Sequence, residues 1–318
     1  MDATTKAMLA HAAKVAADDN GIGRPIAELL KSKEVLKGVE SQRLRTYCSS
    51  TSLVPAQHLD AYGMQLFMGE LSAIQADFAS RVEEFRKDCE DEGSAKKKAA
   101  QELATLRWGP TAVPIYNLLG LSSLISPRQR PQHLSIARWL VDVAKVPVGG
   151  TDASGTTALA HSISTHPSFD PEFAQILYDA GGDVNLRNRY GATPGHAMCM
   201  VLSLDERDLR RTEKALAWFV AHGGNVDVKD SDAYSPRMAA GITAKRFASK
   251  GGNRLLMILE KEDNRRERGR DRCCMFCGRD DAKLLQCGRC KEAKYCEPTP
   301  RLCHKLDWPR HKLGCNTA

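Results

Sequence analysis

Eight of the chain's eleven cysteines fall within residues 273–318, and their spacing constrains that segment more than any other feature of the sequence. The run reads Cys274-Met-Phe-Cys277, Cys287-Gly-Arg-Cys290, Tyr295-Cys296, Cys303, Asp307-Trp308 and His311-Lys-Leu-Gly-Cys315. It offers seven thiolates and one imidazole in four pairs, the donor set that two tetrahedral zinc ions need. So short and polar a segment cannot bury enough apolar surface to fold alone. Zinc ligation supplies about 10–16 kcal/mol per structural site in model peptides, enough to close that gap. With every position filled by protein, no coordination site stays open for water, which points to structural metal and away from hydrolysis.

The competing reading of such cysteines is a disulfide framework of a secreted domain. Against it, Met1–Lys6 leads into an Ala-rich polar stretch and not into an apolar signal segment, and Cys48, Cys89 and Cys199 lie scattered through the chain. The expectation is therefore a protein of the cytoplasm, the nucleus or both, not secreted. Gly288 suits the turn inside the second Cys-x-x-Cys pair. Cys273 stands one residue out of register and is expected to be a free thiol. No His-Glu-x-x-His occurs, and no His-x-Glu accompanies the Cys-x-x-Cys, so no catalytic residue is assigned.

On these residues the segment resembles a MYND-type zinc finger. Tyr295-Cys296, Asp307-Trp308, His311 and Cys315 all fall on that family's pattern. The resemblance implies an interleaved cross-brace, with Cys274, Cys277, Cys296 and Cys303 on one ion and Cys287, Cys290, His311 and Cys315 on the other. The spacing by itself does not exclude sequential pairing. The resemblance also implies protein partners, proline-rich peptides among them, held beside Trp308. This chain departs from the family at two places. Six residues separate Cys296 from Cys303 where the family has three, and Pro298 and Pro300 predict a stiff extended loop there. His304 stands where the family usually has Gln, so the peptide-binding pair here is Trp308 with His304. Packing beneath the zinc sites is the plainer role for Trp308.

The net charge of +7 suggests a nucleic-acid partner until it is located. Residues 265–318 hold 14 Lys and Arg against 7 Asp and Glu, and residues 1–264 are balanced. Seven thiolates offset much of that excess. The run Arg265–Arg272 reads as a solvated basic linker, with a nuclear address as the functional alternative. Direct nucleic-acid binding is not expected. No run approaches the ~18 apolar residues of a membrane span, so no membrane partner is expected.

The middle of the chain repeats itself. Gly155-Thr-Thr-Ala-Leu-Ala-His161, Gly191-Ala-Thr-Pro-Gly-His-Ala197 and Ala233-Tyr-Ser-Pro-Arg-Met-Ala239 alternate with Ala180-Gly-Gly-Asp-Val-Asn-Leu186 and His222-Gly-Gly-Asn-Val-Asp-Val228. Thr-Pro starts a first helix and Gly-Gly ends a second one in a left-handed conformation. This resembles the ankyrin repeat, whose units bury their faces only against neighbours. A weaker earlier unit is expected from Pro114-Ile-Tyr-Asn-Leu-Leu through Ile136-Ala-Arg-Trp-Leu-Val to Asp152. Leu204–Arg210 reads as a loop insertion. His161 and His196 are expected to hydrogen-bond neighbouring turns and not to ligate metal.

Residues 1–110 read as helices without a nameable motif. Leu66 or Phe67, then Leu71, Ile74, Phe78, Val82 and Phe85, recur at three- and four-residue steps and predict one amphipathic helix, and Lys96-Lys-Lys98 a polar joint. The expected fold is mainly α: a helical N-terminal region (1–110), a degenerate ankyrin-like helical repeat solenoid (111–262), a basic linker (263–272) and a small cross-brace zinc module (273–318). Residues 1–264 carry their own apolar pattern, so the finger is expected to be separable. The function expected is a non-enzymatic intracellular zinc-binding protein-protein interaction adaptor, in transcriptional or regulatory complexes. Membership of a ubiquitin-ligase assembly competes with this, although the RING ligand order is lacking. A MYND-associated methyltransferase also competes, although that fold's cofactor-binding motifs are lacking.

Overall fold

The computed structural model describes residues 23–164, 169–201, 205–297 and 303–315. The expected helical start before residue 23 and the stiff loop at Pro298–Pro300 lie outside the described residues. The chain divides into two compact units, one of residues 1–182 with 187–192 and one of 183–186 with 193–318. Both are mainly helical, and the only sheet among the described residues is a two-stranded ribbon in the second. No described helix is long and apolar enough to cross a membrane.

The first unit holds α1 (Ile26–Leu29), α2 (Gly38–Ser50), α3 (Pro55–His58), α4 (Ala61–Met68), α5 (Leu71–Arg86), α6 (Glu92–Thr105), α7 (Ile115–Ile125), α8 (Arg130–Asp142), α9 (Ala158–Ser164) and α10 (Pro171–Asp179). The amphipathic stripe from Leu66 to Phe85 forms two helices and not one. Gly69 takes φ +78°, caps α4 and turns the chain before α5. Ile74, Phe78 and Val82 of α5 are buried, and α5 packs on α6. Lys96–Lys98 lie inside α6, which Asp91 caps by accepting from the Ser94 N–H at 2.9 Å, so they form no joint.

The second unit holds α11 (Pro194–Cys199), α12 (Glu206–Ala221), α13 (Pro236–Arg246), α14 (Asn253–Arg268), β1 (Leu284–Gln286), β2 (Lys294–Cys296) and α15 (Cys303–His311). α11 packs on α12 and α13, and both of those pack on α14. Residues expected to form an inserted loop instead extend α12 from Glu206, started by Asp205, whose carboxylate accepts from the Arg207 N–H. The basic run read as a linker is helical as far as Arg268.

Three turns share one construction. The side-chain oxygens of Asp152, Asn188 and Asp230 each accept from the backbone N–H groups two and four residues on, at 2.9–3.1 Å. Each turn's fourth residue is left-handed: Gly155 at φ +78°, Gly191 at +71° and Ala233 at +65°. The Gly-Gly pairs end helices as the sequence predicts, with Gly181 at φ +93° and Gly223 at +82°. His161 meets Asp152 at 2.7 Å. His196 Nδ1 accepts from the Thr193 N–H at 3.0 Å, and its Nε2 donates to the Tyr234 carbonyl at 3.1 Å. Both histidines are thus engaged with turns.

Candidate metal centre

Two short loops of the same design carry the four cysteines of the Cys-x-x-Cys pairs. In the first, the Gly278 N–H donates to the Cys274 carbonyl at 2.8 Å; in the second, the Lys291 N–H donates to the Cys287 carbonyl at 3.0 Å. Each closing residue is left-handed, Gly278 at φ +72° and Lys291 at +61°. The special backbone position of the second loop is therefore Lys291 and not Gly288. The first loop is tied to β2 by the Met275 N–H, which donates to the Lys294 carbonyl at 2.8 Å. β1 and β2 pair antiparallel, Leu284 opposite Cys296 and Leu285 opposite Tyr295. β2 so delivers Cys296, α15 carries Cys303 and His311, and the turn after it returns Cys315.

This arrangement gathers Cys274, Cys277, Cys296 and Cys303 into one cluster and Cys287, Cys290, His311 and Cys315 into another, each with ligand atoms within 4.8 Å of one another. The cysteines are free and buried. Cys277 Sγ lies 3.5 Å from Cys296 Sγ, and Cys287 Sγ lies 3.9 Å from Cys315 Sγ. His311 Nε2 is 3.4 Å from Cys287 Sγ and 3.6 Å from Cys290 Sγ. A disulfide needs about 2.05 Å. A tetrahedron with zinc–sulfur bonds of about 2.3 Å has edges of about 3.8 Å. The donor chemistry and the spacing therefore fit zinc at both clusters. The backbone N–H groups of Cys290 and Arg289 and the His311 ring favour the Cys287 thiolate. Bound zinc would cross-link these segments; no open position would remain for chemistry. Cys273 belongs to neither cluster: it is buried, with its sulfur 3.8 Å from the Arg266 carbonyl.

Tyr295 and Asp307 serve the frame. The Tyr295 hydroxyl donates to Asp307 Oδ2 at 2.8 Å, and Arg310 Nε donates to Asp307 Oδ1 at 2.8 Å. Trp308 is half-buried and packs against the cysteine core, while His304, one turn before it, is exposed. Their rings lie 5.6 Å apart, and His304 sits 5.0 Å from the Tyr295 ring.

Residues 274–315 match the MYND finger family. The chain is similar over this part to N-lysine methyltransferase SMYD2 of Sus scrofa, 49% identical over 43 residues, which are 14% of this chain and 9% of that one. The SMYD2 of Homo sapiens is 46% identical over 43 residues, again 14% and 9%. That of Mus musculus is 45% identical over 51 residues, 16% and 11%. The chain thus spans about a tenth of the length of these relatives, and the likeness is confined to the region of the MYND finger.

Sequence reasoning missed the side chains beneath the finger. Burial pushes the Glu262 carboxyl up, and Arg265 and Arg266 more than offset this, so that it ionises below the usual carboxylate range. Arg265 in turn donates to the Gly278 carbonyl at 2.7 Å, and Arg266 to that of Cys277 at 3.2 Å. An acidic residue three and four positions before two arginines was the available signal.

Proposed function

We propose that this chain is a non-enzymatic, zinc-dependent adaptor that joins proteins in regulatory complexes of the cytoplasm or nucleus. The observation that carries the reading is the aromatic face of α15, where exposed His304 and half-buried Trp308 stand one turn apart beside Tyr295. Proline-rich segments dock on aromatic surfaces because their extended helix is preformed and loses little entropy on binding. Filled coordination spheres leave the metal a structural role. The recurrence of one turn design at Asp152, Asn188 and Asp230 supports an ankyrin-like reading of the middle of the chain, and such stacks present a concave face to partners. Two contact surfaces on one chain gain avidity for one assembly.

Titration of proline-rich peptides into the zinc-loaded chain tests this. Binding that Trp308→Ala removes while both zinc ions stay bound supports the adaptor. Binding unchanged by that substitution, or absent throughout, overturns it. The similarity to N-lysine methyltransferases keeps lysine methylation as a second reading, on the finger alone. Methyl transfer to lysine by the purified chain would replace the adaptor with that reading, and ubiquitin discharge would replace it with the ligase reading.

A further inference from the structure

We propose that the first zinc loop is the end cap of the second unit's helices, so that zinc in the all-cysteine cluster stabilises α12 to α14 and not the finger alone. The starting observation is a pair of buried asparagines. Asn185 Nδ2 donates to the Gly223 carbonyl at 2.8 Å, and its Oδ1 accepts from the Asn225 N–H at 2.8 Å. Asn185 thereby fastens the turn that follows α12. Asn225 stands where Asp183 stands in the turn of Asn185, each accepting from the N–H two residues on, and its Nδ2 donates at 2.7 Å to the carbonyl of Phe276, inside Cys274–Cys277. Asn185, the turn after α12 and the first zinc loop are thereby joined in one chain of buried hydrogen bonds.

The rest of the contact is built to match. Glu262, 7% exposed, holds Arg265 at 2.8 Å and Arg266 at 2.6 Å on α14. Exposed Arg265 and half-buried Arg266 reach the Gly278 and Cys277 carbonyls, so one helix sets a buried carboxylate and its two arginines against the back of the loop. Gly223 is left-handed, and an added Cβ there would lie 3.0 Å from Arg279 Cγ and 3.3 Å from the Cys277 carbonyl oxygen. Val228 packs on the cysteine core. If the loop opened, it would leave the buried Asn225 amide without its Phe276 partner and take two carbonyl acceptors from Arg265 and Arg266. Buried polar groups left unpaired are costly. Among the described residues, no hydrogen bond of this kind joins the loop Cys287–Cys290 to α12 or α14. The cap is therefore a property of the Cys274, Cys277, Cys296 and Cys303 site.

The finger would then not be separable behind a solvated linker. Linkage is reciprocal: if zinc stabilises the helices, the helices must hold zinc more tightly in that cluster. Hydrogen exchange of the full chain, with two zinc ions and after chelation, reads the first half. Exchange across residues 206–221 and 253–268 is expected to rise at least tenfold on chelation, with residues 71–86 of the first unit unchanged. Opening of 274–315 with 206–268 unaffected overturns the proposal. Zinc release to a chromophoric chelator reads the second half. Asn225→Ala is expected to speed release from the all-cysteine cluster about tenfold, the factor that one lost buried hydrogen bond carries. Where that variant does not fold, Arg266→Gln serves, with the same expectation. Release at the wild-type rate overturns the proposal.

Discussion

Tyr295 on β2 and Asp307 on α15 are joined by a buried hydrogen bond of 2.8 Å. The bond ties the strand that delivers Cys296 to the helix that carries Cys303 and His311, so it braces both clusters at once. Burial and the neighbouring carboxylate push the Tyr295 hydroxyl well above its usual range, so it stays a donor. Tyr295→Phe keeps the ring and leaves Asp307 Oδ2 without this donor. The expected cost is about 1–3 kcal/mol, the penalty for one buried unsatisfied group. Denaturant unfolding of the zinc-loaded protein, followed through release of metal, measures it; a midpoint equal to wild type would show the bond to be idle.

Acid should weaken the first unit through Asp170. This residue caps α10 by accepting from the Phe173 N–H at 3.0 Å, and Arg130 pairs with it at 2.7 Å and 2.9 Å. Burial pushes its carboxyl up, but Arg130 and the cap outweigh burial, and the pKa is lowered in the folded chain. A depressed carboxyl contributes stability that is present above the unfolded pKa of about 3.9 and lost as pH falls through the folded value. Stability should therefore decline below about pH 4, and less steeply in Asp170→Asn, which keeps a cap but not the charge. Asp170→Ala should cost about 1 kcal/mol at neutral pH. Equal pH slopes for wild type and Asp170→Asn would contradict this assignment.

What the sequence discloses follows the range of the forces involved. Metal ligands are legible because tetrahedral coordination restricts spacing, and helix ends are legible because Thr193-Pro194 and the Gly181 and Gly223 turns act locally. The break at Gly69 was hidden because the apolar spacing continues in phase on both sides of it. Lys291 carries no sign that it is left-handed, since lysine seldom is. The Asn225 to Phe276 bond spans 51 residues, and no local pattern announces it. The partners of Arg265 and Arg266 were hidden because composition cannot reveal that Glu262 is buried beneath them.

Ala233 occupies the left-handed position that Gly155 and Gly191 fill in the equivalent turns, at φ +65°. A non-glycine residue pays about 1–2 kcal/mol there. Ala233→Gly removes that strain but adds freedom to the unfolded chain worth about 0.4–1 kcal/mol. The net expectation is a stabilisation of up to about 1.6 kcal/mol, seen as a higher denaturant midpoint with an unchanged slope. A lower midpoint would mean that the turn carries no strain at Ala233.

Metal wiring can be tested by deleting one ligand and reading what survives. Native protein should hold two zinc ions per chain, since two clusters of four ligands converge within 4.8 Å. Cys290→Ser removes a thiolate from the cluster of Cys287, His311 and Cys315. If the clusters act as the geometry groups them, the ion that remains sits among Cys274, Cys277, Cys296 and Cys303, and X-ray absorption reports four sulfurs. Sequential wiring would leave it on Cys296, Cys303, His311 and Cys315, with three sulfurs and one nitrogen. Elemental analysis should fall from two ions toward one. The surviving site should also be looser than in wild type, because α15 contributes to both clusters and loses its anchor at His311. A nitrogen in the surviving shell would refute the interleaved pairing, and with it the expectation that Trp308 stands beside a preformed peptide groove.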